Sequence, residues 1–160
     1  MANDSTDKVI VFVGAKRMGK STLILETINN RKDVYIFDPE GEYKRGLFMD
    51  IDLFKKVALG ARNAMIVWEE ATSFFGQGVD KDLKAMLSRN RHKYVTHLLV
   101  FHSLHDVPGW ILTKIDEIYL FHTKDNPTYV KQKFKGRDNI TQAFMKLREP
   151  TPGKFEVITY

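Results

Sequence analysis

The sequence predicts a single α/β domain with a mainly parallel central sheet flanked by helices, and three observations lead there. Short β-branched and aromatic runs recur along the chain, at 9–13, 34–37, 64–68, 97–101, 118–121 and 155–158. Helix-period patterns occupy most of the intervals between them, and strands alternating with helices indicate a parallel sheet with crossover connections. The chain has 160 residues, 43% of them hydrophobic, which suits one core.

The polar residues 1–7 read as a flexible lead, leaving 8–160 as the domain. Val9 to Val13 is apolar at every position, so both faces of that strand must be covered, as at the centre of a parallel sheet. Residues 21–30 follow as a helix with Leu23, Ile24, Leu25 and Ile28 on its buried face. A helix over 52–59 ends at Gly60, a C-terminal cap residue. Asp80 caps a helix reaching to about Arg91, with Leu83, Met86 and Leu87 inward. The pattern returns over 138–147 with Ile140, Phe144 and Leu147. Residues 76–78 and 124–128 read as mobile loops. Lys131, Lys133 and Lys135 alternate with Gln132 and Phe134, as on an extended edge; its lysines either guard that edge or track a DNA backbone. Lys81 and Lys84, with the 76–78 loop, form a second candidate DNA contact. Trp68, Trp110, Phe74 and Phe75 read as core or subunit contacts.

Composition removes several function classes. The absence of cysteine excludes a disulfide framework, a thiol nucleophile and thiolate zinc sites. None of the five histidines sits in an H-E-x-x-H pattern, so they read as structural, with His102 reserved as a possible sensor. The net charge of +5 permits a polyanionic partner without requiring one. The longest apolar runs are about five residues against the ~20 that span a bilayer, so a soluble intracellular domain with no membrane insertion is expected.

The chemistry concentrates in Gly14-Ala15-Lys16-Arg17-Met18-Gly19-Lys20-Ser21, a complete G-x-x-x-x-G-K-[ST] motif between a buried strand and a helix. Chance produces that string in roughly one chain of this length in a few hundred. Its glycines let backbone N–H groups curl around phosphates, and the helix N-terminus adds positive potential. Lys20 would reach the β- and γ-phosphates, Ser21 would ligate Mg²⁺, and Thr22 is a weaker phosphate contact. The second requirement, acid at a neighbouring strand end, is met by Glu69 and Glu70 after the 64–68 run. Glu69 takes the metal-facing role, where Asp is usual, and Glu70 the water-activating role; Asp38 is an alternative acid. A GTPase would need N-K-x-D, and His122-Thr123-Lys124-Asp125 does not fit; an arginine-rich kinase lid is likewise missing. The acidic pair favours an ATPase that activates water.

These segments resemble the FtsK–HerA superfamily of DNA-pumping ATPases. Asp38-Pro39-Glu40-Gly41-Glu42-Tyr43 is similar to the D-P-x-G-E-Y segment of the HerA branch. Glu69-Glu70-Ala71 with Phe74 and Phe75 is similar to its Walker B region, and Arg89-Asn90-Arg91-His92 leads into the next strand as its R-H segment does. Pro152-Gly153-Lys154-Phe155 resembles its closing strand, and the likeness runs over about residues 8–158. Two departures stand out: His102 or Ser103 occupies the place of a γ-phosphate-sensing glutamine, and Tyr94 and Val95 replace the glycine after the R-H pair.

The resemblance implies a RecA-like P-loop NTPase domain that hydrolyses ATP with Mg²⁺. It also implies that Arg91, or else Arg89, acts as a finger in the neighbouring subunit's site. A bare core of this length resembles viral genome-packaging ATPases. That implies a homo-oligomeric ring, a hexamer, that moves double-stranded DNA into a preformed capsid through capsid or portal-vertex partners, in the host cytoplasm or on the virion. Filamentous-phage assembly or export ATPases of the zonula occludens toxin type, and a non-translocating nucleotide switch, are the alternatives.

Overall fold

A computed structural model describes residues 7–44, 47, 48, 50–76 and 78–160; most of the expected lead and Gln77 of the expected 76–78 loop lie outside them. Seven strands form one sheet: β1 (Val9–Val13), β2 (Val34–Phe37), β3 (Leu47–Phe48), β4 (Ala64–Trp68), β5 (Val95–Phe101), β6 (Glu117–Phe121) and β7 (Phe155–Thr159). Their order is β3-β2-β4-β5-β1-β6-β7, parallel throughout except for β7, which runs antiparallel to β6. The helices are α1 (Lys20–Ile28), α2 (Ile51–Gly60), α3 (Ala71–Phe75), α4 (Lys81–Ser88), α5 (Asn90–Lys93), α6 (Pro127–Lys133) and α7 (Asp138–Lys146), with a 3-10 turn at Ile111–Thr113. The fold class predicted from the sequence is therefore the one observed.

Alternating residues of β1 enter different cores, as the twofold period of a strand requires. Ile10 and Phe12 pack with Ile24 and Ile28 of α1, whereas Val9, Val11 and Val13 face the larger cluster under α2, α3, α4, α6 and α7. Trp68 is fully buried in that cluster and meets Phe54, Phe74 and Phe75 edge-on at centroid distances of 4.8–4.9 Å. Its indole N–H donates to Nδ1 of buried His97 at 3.2 Å. Among the described residues, no helix is long and apolar enough to cross a membrane.

Several local expectations are corrected. Residues 127–133 are helical, not extended. Asn126 caps the helix by accepting from the Thr128 amide at 2.8 Å, Pro127 opens its first turn, and Val130 and Phe134 bury at the i,i+4 spacing. Lys133 then donates to the carbonyls of Leu104, His105 and Val107 at 2.7–2.8 Å, which removes it from any DNA-facing row. The 124–128 stretch is tied down, because Asp125 accepts from the amides of Leu104 and His105 at 2.8 and 3.1 Å. The helix expected to reach Arg91 stops at Ser88. A separate turn, α5, follows, where the side chain of buried Asn90 donates to the Asp7 carbonyl at 2.5 Å. Gly60 belongs to the last turn of α2 and has no left-handed φ; Ala61 is the cap residue. The helix α3, at five residues, is too short to show a period in the sequence.

Candidate active site

Parallel strands bring their C-terminal ends to one edge of the sheet, and there the chain deposits its polar residues. Gly14 follows β1, Asp38 follows β2, Glu69 and Glu70 follow β4, and His102 follows β5. The P-loop strand β1 and the acidic strand β4 are not neighbours, since β5 lies between them and sets His102 between loop and acids. A pocket of about 920 Å³ opens at this edge, lined by Lys20, Ser21, Glu42, Glu69, Glu70 and His102 among others. Its size falls within the usual range for ligand sites.

The P-loop is held on both sides. The Gly14 amide donates to Phe101 O at 3.1 Å and the Ala15 amide to His122 O at 2.8 Å, which pins the loop's start to β5 and the end of β6. A Cβ on Gly14 would stand 2.6 Å from that of Phe121, so the position admits no side chain as the strands lie. Gly19 takes φ +100 to turn into α1, a conformation natural only to glycine. Met18 O accepts from the Gly153 amide at 3.0 Å, so the turn before β7 rests on the loop, and Pro152, Gly153 and Phe155 join the pocket wall. Lys20 is buried, its ammonium donating to the carbonyls of Gly14 and Ala15 at 2.6 and 2.9 Å. Burial lowers its pKa, opposed by Glu69, Glu42 and Glu70. Lys16 and Arg17 are exposed at the mouth, Lys16 3.4 Å from Glu40 and Arg17 in the left-handed region at φ 64; Thr22 is also exposed.

The three acids differ in their surroundings. Glu69 is buried, and burial pushes its carboxyl up to about 7, partly offset by a hydrogen bond from the Tyr43 hydroxyl to its Oε1 and by Lys20. Burial raises the Tyr43 phenol in turn, with Glu69 adding to the shift. Glu70 stands at the N-terminal end of α3 without a side-chain cap bond, half-buried, with His102 Nε2 3.4 Å from its Oε1. Asp38 accepts from the amides of Gly41 and Tyr43 at 2.9 and 2.8 Å; its carboxylate shapes the loop after β2.

The two sensor candidates part company. His102 lines the pocket beside Glu70, whereas the Ser103 hydroxyl donates to Asp106 Oδ2 at 2.7 Å within its own turn. The arginines lie elsewhere. Arg89 and Arg91 precede β5, and that seven-residue strand sets them about 20 Å from the His102 edge. Both are exposed, and Arg91 pairs with Asp116 at 3.2 Å. A single copy therefore brings together Lys20, Ser21, Glu69, Glu70 and His102, and leaves Arg89 and Arg91 on the opposite edge. In the sequence Glu42 stands out only as part of the 38–43 segment. Its Oε2 accepts from the Ser21 hydroxyl at 2.6 Å, a contact that only the folded loop reveals.

The residues suit a metal-bound nucleoside triphosphate. The loop and Lys20 offer an anion cradle, while Ser21 and Glu69 offer hard oxygen donors for Mg²⁺, which binds through one or two protein oxygens plus substrate phosphates. Among the described residues, no group of three or more His, Cys, Asp or Glu is placed to hold a metal ion by itself.

No family model and no curated protein sequence matches the chain. Solved structures do. The chain is similar to the genome packaging NTPase B204 from Sulfolobus turreted icosahedral virus 2 in complex with ATP-gammaS, at 19% identity and TM-score 0.76 over 96% of this chain and 92% of that one. The same protein in complex with AMPPCP matches at 19% identity and TM-score 0.77, over 96% and 93% of the two chains. The N-terminal domain of zonular occludens toxin from Neisseria meningitidis is more distant, at 10% identity and TM-score 0.53 over 73% and 78%. Likeness at such identities reports architecture, and with the strand order and P-loop geometry above it establishes that this chain has the RecA-like P-loop NTPase fold.

Proposed function

We propose that the protein is a Mg²⁺-dependent ATPase whose turnover drives double-stranded DNA, most specifically as a viral genome-packaging motor assembled from several copies of this chain. One observation carries the reading: Lys20, Ser21, Glu69 and Glu70 share one pocket, while Arg89 and Arg91 stand at the far edge of the sheet. Lys20 and the loop amides bind and orient the triphosphate. Ser21 and Glu69 hold Mg²⁺, which when bound neutralises charge on the phosphates. Glu70 accepts a proton from the attacking water, and His102, beside it, senses whether the γ-phosphate is in place. Arg91 or Arg89 of an adjacent copy completes the charge stabilisation, which calls for a ring; a hexamer is the arrangement proposed. The similarity to a genome packaging NTPase over nearly the whole of both chains supports the DNA-pumping assignment, as does the net charge of +5 repeated around a ring. Capsid or portal-vertex proteins are the proposed partners, in the host cytoplasm or on the virion.

The test is steady-state ATP hydrolysis across protein concentration, with and without duplex DNA. Specific activity should rise with concentration and rise again with DNA. Turnover per chain that ignores both would leave a nucleotide-binding switch in place of a motor.

A further inference from the structure

Residues 38–44, which follow β2, bring two consecutive side chains, Glu42 and Tyr43, into the site. Glu42 goes to the first turn of α1, where its Oε2 accepts a hydrogen bond from the Ser21 hydroxyl at 2.6 Å. Tyr43 goes to the end of β4, where its hydroxyl donates to Glu69 Oε1. We propose that Glu42 and Tyr43 position the two metal ligands of the site, Ser21 and Glu69, and thereby set its affinity for Mg²⁺. This role presupposes the Mg²⁺–ATP reading above.

The chemistry of each contact supports it. A serine hydroxyl has one proton and two lone pairs. With the proton given to a carboxylate, the oxygen can present a lone pair to a cation and is a better donor for having lost proton density. A carboxylate with one oxygen fixed by a phenol has its other oxygen oriented and free to ligate. Partners of this kind typically change metal affinity 10–100-fold when removed.

The loop is also built to hold the arrangement. Asp38 receives the amides of Gly41 and Tyr43, and the Tyr43 ring is buried, at 1% exposure, in the core beneath α1. Glu42, by contrast, is exposed, so its carboxylate serves no packing purpose. One short segment thus grips both ligands, which come from elements distant in the chain.

The experiment measures binding of the fluorescent analogue N-methylanthraniloyl-ATP, first in EDTA and then along a Mg²⁺ titration, for wild type, Glu42→Gln, Tyr43→Phe, Ser21→Ala and the Ser21→Ala/Glu42→Gln double variant. Lys20→Ala controls for the site itself. Glu42→Gln removes a negative charge facing Lys20, so its metal-free affinity should not fall, while the Mg²⁺ midpoint should move upward by roughly 10–100-fold. In the Ser21→Ala background it should shift nothing further. Tyr43→Phe retains the buried ring and should shift the midpoint in the same direction. A Glu42→Gln midpoint within twofold of wild type overturns the proposal. So does an equal shift with and without Ser21, which would make Glu42 a general anchor of the loop. Failure of wild type to bind the analogue, or binding insensitive to Lys20→Ala, instead overturns the nucleotide-site reading and the positioning role with it.

Discussion

Replacing Gly14 by alanine adds one methyl group where the P-loop leaves β1, and the structure sets the cost. The new Cβ would lie 2.6 Å from the Cβ of Phe121 and 3.4 Å from its Cγ. Carbon atoms pack at about 3.5–4.0 Å, so the first contact is short by roughly 1 Å. Neither side can yield cheaply. Phe121 lies on β6, which pairs with β1 on one side and β7 on the other, and its Cβ moves only with the backbone. Gly14 and Ala15 are themselves bonded to Phe101 O and His122 O. Overpacking of this kind costs about 1–3 kcal/mol, and a domain of this size loses about 2–4 °C of melting temperature per kcal/mol. A fall of roughly 2–12 °C is expected, with weakened nucleotide binding because the loop must shift. Gly60→Ala is the comparison. That glycine is exposed in the last turn of α2 with nothing within 4 Å of the added atom, so the same change should stabilise by about 0.5–1 kcal/mol and leave nucleotide binding alone. Thermal unfolding by circular dichroism reads both. Equal melting temperatures for the two variants, or full nucleotide affinity in Gly14→Ala, would refute the close packing of the P-loop on β6.

Glu70→Gln should still bind ATP while turnover falls about 10²–10⁴-fold, the usual worth of a general base; unchanged turnover would place the proton acceptor elsewhere. Arg91→Ala and Lys20→Ala should each be inactive alone and recover activity when mixed, because an intact phosphate loop then meets an arginine from the neighbouring copy; a mixture as inactive as either variant would remove the trans arginine. His97 makes stability fall in acid. Burial lowers its pKa from 6.5 to about 3. Between those values the unfolded chain therefore binds a proton that the folded chain does not, and stability declines as pH drops, by up to about 1.4 kcal/mol per unit from this residue. His97→Gln keeps an acceptor for the Trp68 N–H, and its stability gap from wild type should narrow by about 2 kcal/mol between pH 7 and pH 5 in urea unfolding; a constant gap would show that the ring does not stay neutral.

Legibility followed the range of the interactions. The apolar runs at 9–13 and 64–68 read as strands because each is only five residues long, too short for a buried helix, and is followed at once by the glycine loop or the acids. The lysine alternation over 131–135 misled, because a period of two on the surface competed with a period of four in the core; the Asn126-Pro127 cap was the stronger signal. Glu42 was readable as part of a segment and not as a partner of Ser21, since 21 residues separate them.

The sequence by itself determined the phosphate loop, the paired glutamates and the alternation of strands and helices, each set by backbone geometry and burial within a window of some ten residues. Only the tertiary structure decided that β5 separates β1 from β4 and so sets His102 rather than Ser103 beside Glu70. It alone decided that Glu42 meets Ser21 and Tyr43 meets Glu69, and that Arg91 stands a strand's length from the pocket of its own chain. The order of strands depends on which apolar faces can be buried together, and burial is a property of the whole core that no segment carries alone.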